Sequence, residues 1–183
     1  GHNLFLFIIF YFISSLNIHS QVYKVIESEN DHVIIEFNFN NSYSVVDTIV
    51  EGRTYQKIRG EDHSFRNPGE PWIPEFKVFA GIPFDSKPTI KILEQKQSIQ
   101  KNKFLIPYPE EDPVLVKQDF DKINIEVYSK NELFPLSPAS LGDYYTARLT
   151  NILPITVVPY QFNPVTRDLV SNSRLIVRVD FNS

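Results

Sequence analysis

Cysteine is absent from this chain of 183 residues. Without cysteine, these residues form no disulfide, offer no thiolate ligand to a metal and contain no cysteine nucleophile. The sequence contains no run of basic residues either. Its 18 Lys and Arg residues are outnumbered by 22 Asp and Glu residues, which gives a formal net charge of −4. A nucleic-acid-binding domain normally carries a basic patch, so the charge pattern excludes that class of function.

Histidine and glycine are scarce, and neither forms a catalytic or ligand-binding motif. His2 and His19 lie in an N-terminal segment, whereas His32 and His63 are isolated on stretches that the sequence predicts as polar loops. No pair of histidines has the spacing of zinc ligands, no glycine-rich loop could cradle a phosphate, and no Gly-x-Ser-x-Gly turn occurs. The sequence therefore predicts no metal site and no cofactor, and no motif supports a Ser–His–Asp triad.

Sustained helical periodicity is also missing, whereas alternation of apolar and polar residues recurs. Hydrophobic residues make up 42% of the chain and aromatic residues 14%, which is enough for one core, and the 13 prolines are spread along the sequence. About ten short strands separated by turn signals are typical of a β-sandwich or jelly roll. The prediction is a single all-β domain over residues 21–183, an antiparallel β-sandwich of jelly-roll-like type.

Two of the predicted strands organise the C-terminal part of the chain. Ile152–Pro159 is the first, and in the second, Arg174–Phe181, Leu175, Val177 and Val179 face one way. A turn around Asn163-Pro164 is expected between them, because asparagine initiates turns and the residue before a proline avoids the α region. Elsewhere, the alternation of Ile123–Val127 predicts a half-buried strand. Residues 94–102 are polar and fit either a continuing edge strand or one helical turn.

The first 20 residues have the composition of a secretory signal peptide. Leu4–Ile13 is an unbroken apolar run, about ten residues long, whereas a membrane-spanning helix needs roughly 20. Small and polar residues follow the run, and we expect cleavage between Ser20 and Gln21. The alternative is that the run is a core strand of the folded domain.

Two further clusters carry weaker functional signals. Glu110, Glu111 and Asp112 could bind calcium through oxygen ligands, although such a charge run is more often a solvated loop. Trp72, Tyr108, Tyr144 and Tyr145 could form a platform for a sugar, although such aromatics more often pack in a core. A secreted carbohydrate-binding or adhesion module is therefore the alternative function.

Short motifs built on proline follow one another along the chain. Gly69-Glu-Pro71-Trp-Ile-Pro74 comes first, then Ile82-Pro83, Ile106-Pro107 and the run YSKNELFP that ends at Pro135. The most specific motif is Pro159-Tyr-Gln-Phe-Asn163-Pro164-Val-Thr-Arg167, followed by a terminal Ile-Val-Arg-Val strand. In order and spacing, the series resembles the propeptide of gingipain-like cysteine peptidases, family C25, a group that includes the type IX secretion sortase.

The resemblance implies a prodomain that assists folding and keeps a cysteine peptidase latent. The fragment itself would not be an enzyme, because the catalytic Cys and His belong to a peptidase domain expected after residue 183. That domain would be its partner in cis. The parent protein would be exported to the periplasm and then to the cell surface or medium, with the type IX secretion machinery as a further partner. No nucleic acid and no membrane span are expected.

The resemblance also indicates where inhibition would occur. In such prodomains, a loop between the Ile-Pro and Phe-Pro motifs places a basic side chain in the acidic specificity pocket of the peptidase. The equivalent loop here is Pro107–Lys122, and its basic residues are Lys117 and Lys122. The loop contains no arginine, and lysine and arginine are not interchangeable at a bidentate site. Either the partner prefers lysine, or Lys117 is an ordinary solvated lysine and does not make the inhibitory contact.

Overall fold

The computed structural model describes residues 21–64, 66–112, 117–120 and 122–182. Within these ranges the regular secondary structure is almost entirely β-strand. The strands are β1 Tyr23–Ser28, β2 His32–Asn38, β3 Ser44–Val50, β4 Arg53–Arg59, β5 Phe76–Ile82, β6 Lys87–Gln100, β7 Glu110–Asp112, β8 Lys117–Asp119, β9 Ala139–Leu141, β10 Tyr145–Ala147, β11 Thr150–Val157, β12 Tyr160–Asn163 and β13 Asp168–Asn182. One helical turn, α1, covers Ile125–Tyr128.

Two antiparallel sheets form the sandwich. In the first sheet β13 is central: β6 pairs along one of its edges, while β12 and then β2 pair along the other, and β1 extends the sheet beyond β2. In the second sheet β11 is central, with β5 on one edge and β9 and β10 on the other. The predicted all-β sandwich is thereby confirmed.

The main core lies between these two sheets. Alternate residues of β2 and β13 point inward, as period-2 strands require, and meet alternate residues of β5 and β11. Phe37, Leu153, Leu175 and Val177 are fully buried. The core also contains Val33, Ile35, Phe39, Phe76, Val78, Ile82, Ala139, Ile155, Val157 and Val179.

A second, smaller core lies beyond the end of β11. It joins β12 and the start of β13 to the β3–β4 hairpin and to two extended segments of the chain. Phe162, Leu169, Ile73 and Leu105 are fully buried there, with Ile58, Val158 and Tyr160 around them. This second core supports the part of the molecule in which the candidate inhibitory loop begins and ends.

The outward face of β13 is polar and ionically paired. Arg174 lies between Glu36 of β2 and Glu94 of β6 and forms an ion pair with each. Asp180 accepts a hydrogen bond from Lys91 Nζ at 2.9 Å and another from Arg178 Nε at 2.6 Å. The bonds from Lys91 and Arg178 hold the pKa of Asp180 below its ordinary value. Inward apolar and outward charged residues together fix the register of the strand.

The structure corrects two sequence predictions and decides a third. Residues 123–127 are not a strand: Asn124 caps α1, and its Oδ1 accepts a hydrogen bond from the backbone N–H of Glu126. The connection between the two predicted C-terminal strands is not a turn alone, because Tyr160–Asn163 forms its own strand, which pairs with β13, while β11 belongs to the other sheet. Residues 94–100 continue β6 as a strand.

Val177→Asp should lower the free energy of unfolding by several kcal/mol, on the order of 3–5, because an unpaired carboxylate would be buried. Val177 is fully buried in the main core. The control is Ile34→Asp, since Ile34 is half-buried on β2 opposite Arg178. Urea unfolding followed by circular dichroism measures both variants. Equal losses, or an unchanged midpoint for Val177→Asp, would contradict the register.

Candidate inhibitory hairpin

The loop predicted to inhibit a peptidase contains a β-hairpin that stands apart from both sheets. β7 and β8 pair with each other, with Asp112 opposite Lys117, and neither pairs with another strand among the described residues. We call residues 110–119 the isolated hairpin; residues 113–116 at its tip lie outside the described residues. A strand with an open edge can accept a further strand from a partner.

Backbone hydrogen bonds to Gly69 and Glu70 hold the base of this hairpin. The Gly69 N–H donates to the Tyr108 carbonyl at 2.8 Å, and the Asn124 N–H donates to the Gly69 carbonyl at 2.9 Å. The Tyr108 N–H in turn donates to the Glu70 carbonyl at 2.7 Å. The chain thus enters and leaves the hairpin at one point, which we call the neck.

Only glycine fits at the centre of the neck. Gly69 has φ of +87°, and a Cβ placed there would lie 2.7 Å from Asn124 N and 3.0 Å from the Lys122 carbonyl oxygen. Both atoms belong to the backbone and cannot rotate away, and a φ in this range is itself costly for other residues. The first residue of the Gly-x-Pro-x-x-Pro motif therefore sets where the hairpin starts and ends.

The rest of that motif lies in an extended segment beside the hairpin. Pro71 and Pro74 are buried, and Pro71 forms a bridge with Pro107. The Trp72 N–H donates to the Ile106 carbonyl at 3.0 Å. Prolines cannot donate hydrogen bonds, so the pairing of this segment depends on Gly69, Trp72 and the carbonyl groups. Two motifs that are distant in sequence, at residues 69–74 and 106–107, are therefore one structural unit.

A polar layer, absent from the sequence prediction, supports the same segment. The Asp62 carboxylate accepts hydrogen bonds from the Ser64 N–H at 2.9 Å, the Glu75 N–H at 3.1 Å and Trp72 Nε1 at 3.1 Å. Burial raises the pKa of Asp62, but the hydrogen bonds outweigh this and leave the pKa below its ordinary value. Nearby, the Arg66 side chain is only 4% exposed and pairs with Glu75 at 3.2 Å.

The two candidate lysines lie at different places in the predicted inhibitory loop. Lys117 is the first residue of β8 and therefore adjoins the tip. Lys122 follows the hairpin at its base, where its Nζ lies 2.8 Å from Glu110 Oε1 in an exposed ion pair. Lys122 is thus already engaged within the domain, whereas the role of Lys117 stays a prediction.

The remaining motif residues lie in and around the second core. Asn163 Oδ1 accepts hydrogen bonds from the Val165 and Thr166 N–H groups at 3.0 and 3.1 Å, which forms the expected turn with the buried Pro164. Pro159 is buried, and the carbonyl of Pro135 accepts a bond from Gln161 Nε2 at 2.9 Å. Pro83 is exposed beyond β5.

The weaker candidate sites do not assemble in the described part of the chain. Trp72 and Tyr108 are in edge contact at 5.2 Å, but Lys57 covers the indole ring at 3.9 Å, and no ring contact joins them to Tyr144 or Tyr145. Glu110 pairs with Lys122, and no cluster of three or more potential metal ligands exists among the described residues. Over the same residues, no helix has the length and apolar character that crossing a membrane requires.

His32 is not the loop residue that the sequence suggested. It is the first residue of β2, it is buried, and its ring nitrogens lie 2.8 Å from Asp31 Oδ1 and 3.1 Å from Glu27 Oε1. The hydrogen bond with Asp31 raises the pKa of His32 above its ordinary value. This histidine ties the β1–β2 turn together. His63 does lie in a loop, where its Nδ1 accepts a hydrogen bond from the Lys77 N–H at 3.2 Å.

The Propeptide_C25 family model matches residues 17–183, nearly the whole sequence. The chain belongs to the Propeptide_C25 family. No protein of curated function matches the sequence significantly.

Two solved structures, both of gingipain prodomains from Porphyromonas gingivalis, are similar in fold. One comes from the complex of the RgpB pro- and mature domains, with 17% identity, a TM-score of 0.77, and coverage of 88% of this chain and 86% of that one. The other comes from work on the zymogenic latency of gingipain K, with 17% identity, a TM-score of 0.69, and coverage of 91% and 96%.

Gly69→Ala should destabilise the domain by about 1–3 kcal/mol, the cost of a left-handed non-glycine residue, with a further loss from the backbone clash at the neck. Gly52→Ala is the matched control, because Gly52 has φ of +79° but no atom within 4 Å of the point that a Cβ would occupy.

Urea unfolding gives the difference between the two variants, and hydrogen exchange at the amides of Tyr108 and Asn124 reports on the neck directly. We expect faster exchange at both amides in Gly69→Ala alone. The same loss of stability and the same exchange rates in both variants would mean that the neck imposes no contact constraint.

Proposed function

We propose that this domain is the prodomain of a secreted C25 cysteine peptidase, and that it aids folding of that peptidase and blocks its active site until it is removed. The observation that carries the proposal is the isolated hairpin, held at a glycine neck in a domain of the Propeptide_C25 family. The RgpB relative, a complex of pro- and mature domains, supports a peptidase domain as the partner.

The hairpin suits the task of lying in a cleft like a substrate. Its strands have open edges, so its backbone can hydrogen-bond to a strand at the rim of the cleft. Its base is fixed by main-chain bonds at the neck, so the base loses little conformational entropy on binding. Such preorganisation favours tight inhibition without a large interface.

Of the two lysines, Lys117 is the better candidate for the specificity pocket of the peptidase. It adjoins the tip, the part of a hairpin that reaches furthest from its base. Lys122 is at the base and would have to leave Glu110 to act elsewhere. In the proposed mechanism, the ammonium group of Lys117 pairs with an acidic residue in a lysine-preferring pocket, and the bound backbone excludes substrate.

Lys117→Ala should weaken inhibition of the cognate peptidase domain by about thirtyfold or more, since an interface hot spot contributes about 2 kcal/mol. The assay titrates the chain against the separate peptidase domain and measures the inhibition constant. Lys122→Ala is the matched control and should change the constant little, because an exposed ion pair contributes about 0–1 kcal/mol. An inhibition constant that Lys117→Ala leaves unchanged, whether or not Lys122→Ala changes it, would remove Lys117 from the mechanism.

Export is part of the proposed function, because an extracellular peptidase must cross the inner membrane. The apolar run Leu4–Ile13 supports this, although it lies outside the described residues. Passage through the type IX secretion machinery would then carry the parent protein to the surface or medium. Mass spectrometry of the exported protein should find an N-terminus at Gln21, and peptides from residues 4–13 in the mature protein would contradict the prediction.

A further inference from the structure

A pocket of about 330 Å³ lies beside the base of the isolated hairpin and has no role in the proposed inhibition of the active site. It is lined by Arg53, Thr54, Tyr55, Phe104, Ile123 and Arg167. We call it the basic pocket. Tyr55 and Phe104 are in ring contact at 5.4 Å and form an aromatic floor, while the two arginines stand at its sides. The pocket therefore combines an apolar surface with positive charge.

The floor of the basic pocket is held in place by hydrogen bonds on both sides. The Phe104 N–H donates to Gln56 Oε1 at 2.5 Å, and the Gln56 N–H donates to the Phe104 carbonyl at 2.8 Å. The Lys103 N–H donates to the Arg167 carbonyl at 3.0 Å. These hydrogen bonds join β4, the segment before the hairpin and the β12–β13 turn into one rigid surface. A rigid surface suits recognition of a partner.

Among the described residues the arginines of this pocket form no ion pair, and neither do Arg59 and Arg148, whereas three other arginines do. Arg66, Arg174 and Arg178 each form an ion pair with a carboxylate. In the described part of the chain no carboxylate forms an ion pair with Arg53, Arg167 or the neighbouring Lys103, and Arg167 Cζ instead lies 5.5 Å from the ring centre of Phe104. In a chain of net charge −4, three basic residues without carboxylate partners make this a locally positive site.

The backbone of Arg167 has an unfavourable conformation. Its φ is +59°, in the left-handed region that costs energy for a residue with a side chain. The turn that imposes this conformation is built by the motif residues Asn163 and Pro164, with Asn163 Oδ1 accepting the two backbone hydrogen bonds of the turn. Strain of this kind persists where the surrounding structure enforces it. The motif thus places a guanidinium group at the pocket.

The basic pocket adjoins the neck along the chain. Ile123, which lines the pocket, is the residue between Lys122 at the base of the hairpin and Asn124, which bonds to Gly69. Consecutive Cα atoms are about 3.8 Å apart, so the pocket begins immediately beside the hairpin base. A protein that binds the hairpin therefore lies close to the pocket.

We propose that the basic pocket docks an acidic segment of the peptidase domain, with carboxylates on Arg53 and Arg167 and an apolar or aromatic side chain on the Tyr55–Phe104 floor. The inference rests on the proposed function and adds to it a second contact, outside the active-site cleft. Charges at the edge of an interface mainly accelerate association and make it dependent on salt. The pocket would guide the hairpin into the cleft and retain the prodomain there.

The test compares the wild-type chain with the double variant Arg53→Gln/Arg167→Asn. Asparagine tolerates the left-handed conformation, so the turn at residue 167 is kept. The matched control is Arg148→Asn: Arg148 is also exposed in a β-turn, at φ of +58°, but it belongs to the β10–β11 hairpin of the other sheet. Thermal melts followed by circular dichroism should show that all three chains are folded.

Binding is measured on two forms of the cognate peptidase domain, one active and one with its catalytic cysteine alkylated by a bulky inhibitor that fills the cleft. On the alkylated form we expect weaker but measurable binding of the wild-type chain and of Arg148→Asn, decreasing as salt is raised. The double variant should bind this form at least tenfold more weakly, with little dependence on salt. On the active form it should still inhibit fully at saturation, but with a slower association rate.

The outcomes separate this inference from the proposed function. If the wild-type chain inhibits the active form and the double variant binds both forms as tightly as the wild type does, the basic pocket is not a docking site and the inhibitory role stands. Binding of the wild-type chain to the active form alone would likewise overturn the second contact. If the wild-type chain neither binds nor inhibits the active form, the prodomain function itself fails.

Discussion

The structure depends on the pairing of β13 along both of its edges. Along one edge the partner strand changes from β12 to β2, and one buried side chain lies where it changes. β12 occupies one edge up to Ser171 and β2 takes over from Arg174, while β6 runs along the other edge. Asn172, fully buried, lies at the change. Its Oδ1 accepts hydrogen bonds from Gln95 and Gln97 at 2.9 and 3.1 Å, and its Nδ2 donates to the Val158 carbonyl at 3.2 Å. Since a buried amide without partners is costly, this carboxamide fixes the relative positions of β6, β12 and β13.

The second core connects β12 to the segments on both sides of the isolated hairpin and holds these segments in place. β12 bonds through Phe162 to the backbone of Phe134 in both directions, at 2.8 and 2.9 Å. Tyr128, at the end of α1, donates its hydroxyl to the Leu105 carbonyl at 3.3 Å. The segments on either side of the hairpin are therefore fixed to the same core, and Gly69 joins them at the neck. The isolated hairpin is thus held in position by structure on both sides of it.

Whether a strand could be predicted from the sequence depends on whether it buries one of its faces or neither of them. β2 and β13 were recognisable because Val33, Ile35 and Phe37, like Leu175 and Val177, alternate with residues that face water. β6 remained ambiguous because residues 94–98 are polar on both faces, and pairing with β13 alone decides their structure.

At residues 123–127 the alternation was misleading. Ile125 is 77% exposed, so the apolar residues there do not form one buried face, and the capping side chain of Asn124 favours a helical turn. The motif series did locate Gly69, but no local pattern could reveal its contact with Asn124, because that contact joins segments distant along the chain. The basic pocket was hidden for the same reason, since its arginines come from the start of β4 and from the β12–β13 turn.

Because the neck is built from main-chain groups, the hairpin sequence can differ from one such prodomain to another. Hydrogen bonds between backbone N–H and carbonyl groups do not depend on side-chain identity, so the hairpin between Tyr108 and Asn124 can change its sequence while its position is kept. The glycine is the exception, because its conformation and its backbone contacts exclude any side chain. A TM-score of 0.77 at 17% identity to the RgpB prodomain agrees with a scaffold specified by pattern more than by particular residues. Selectivity for one peptidase would then lie in the hairpin side chains and in the charges around the pocket beside them, where substitutions leave both cores untouched.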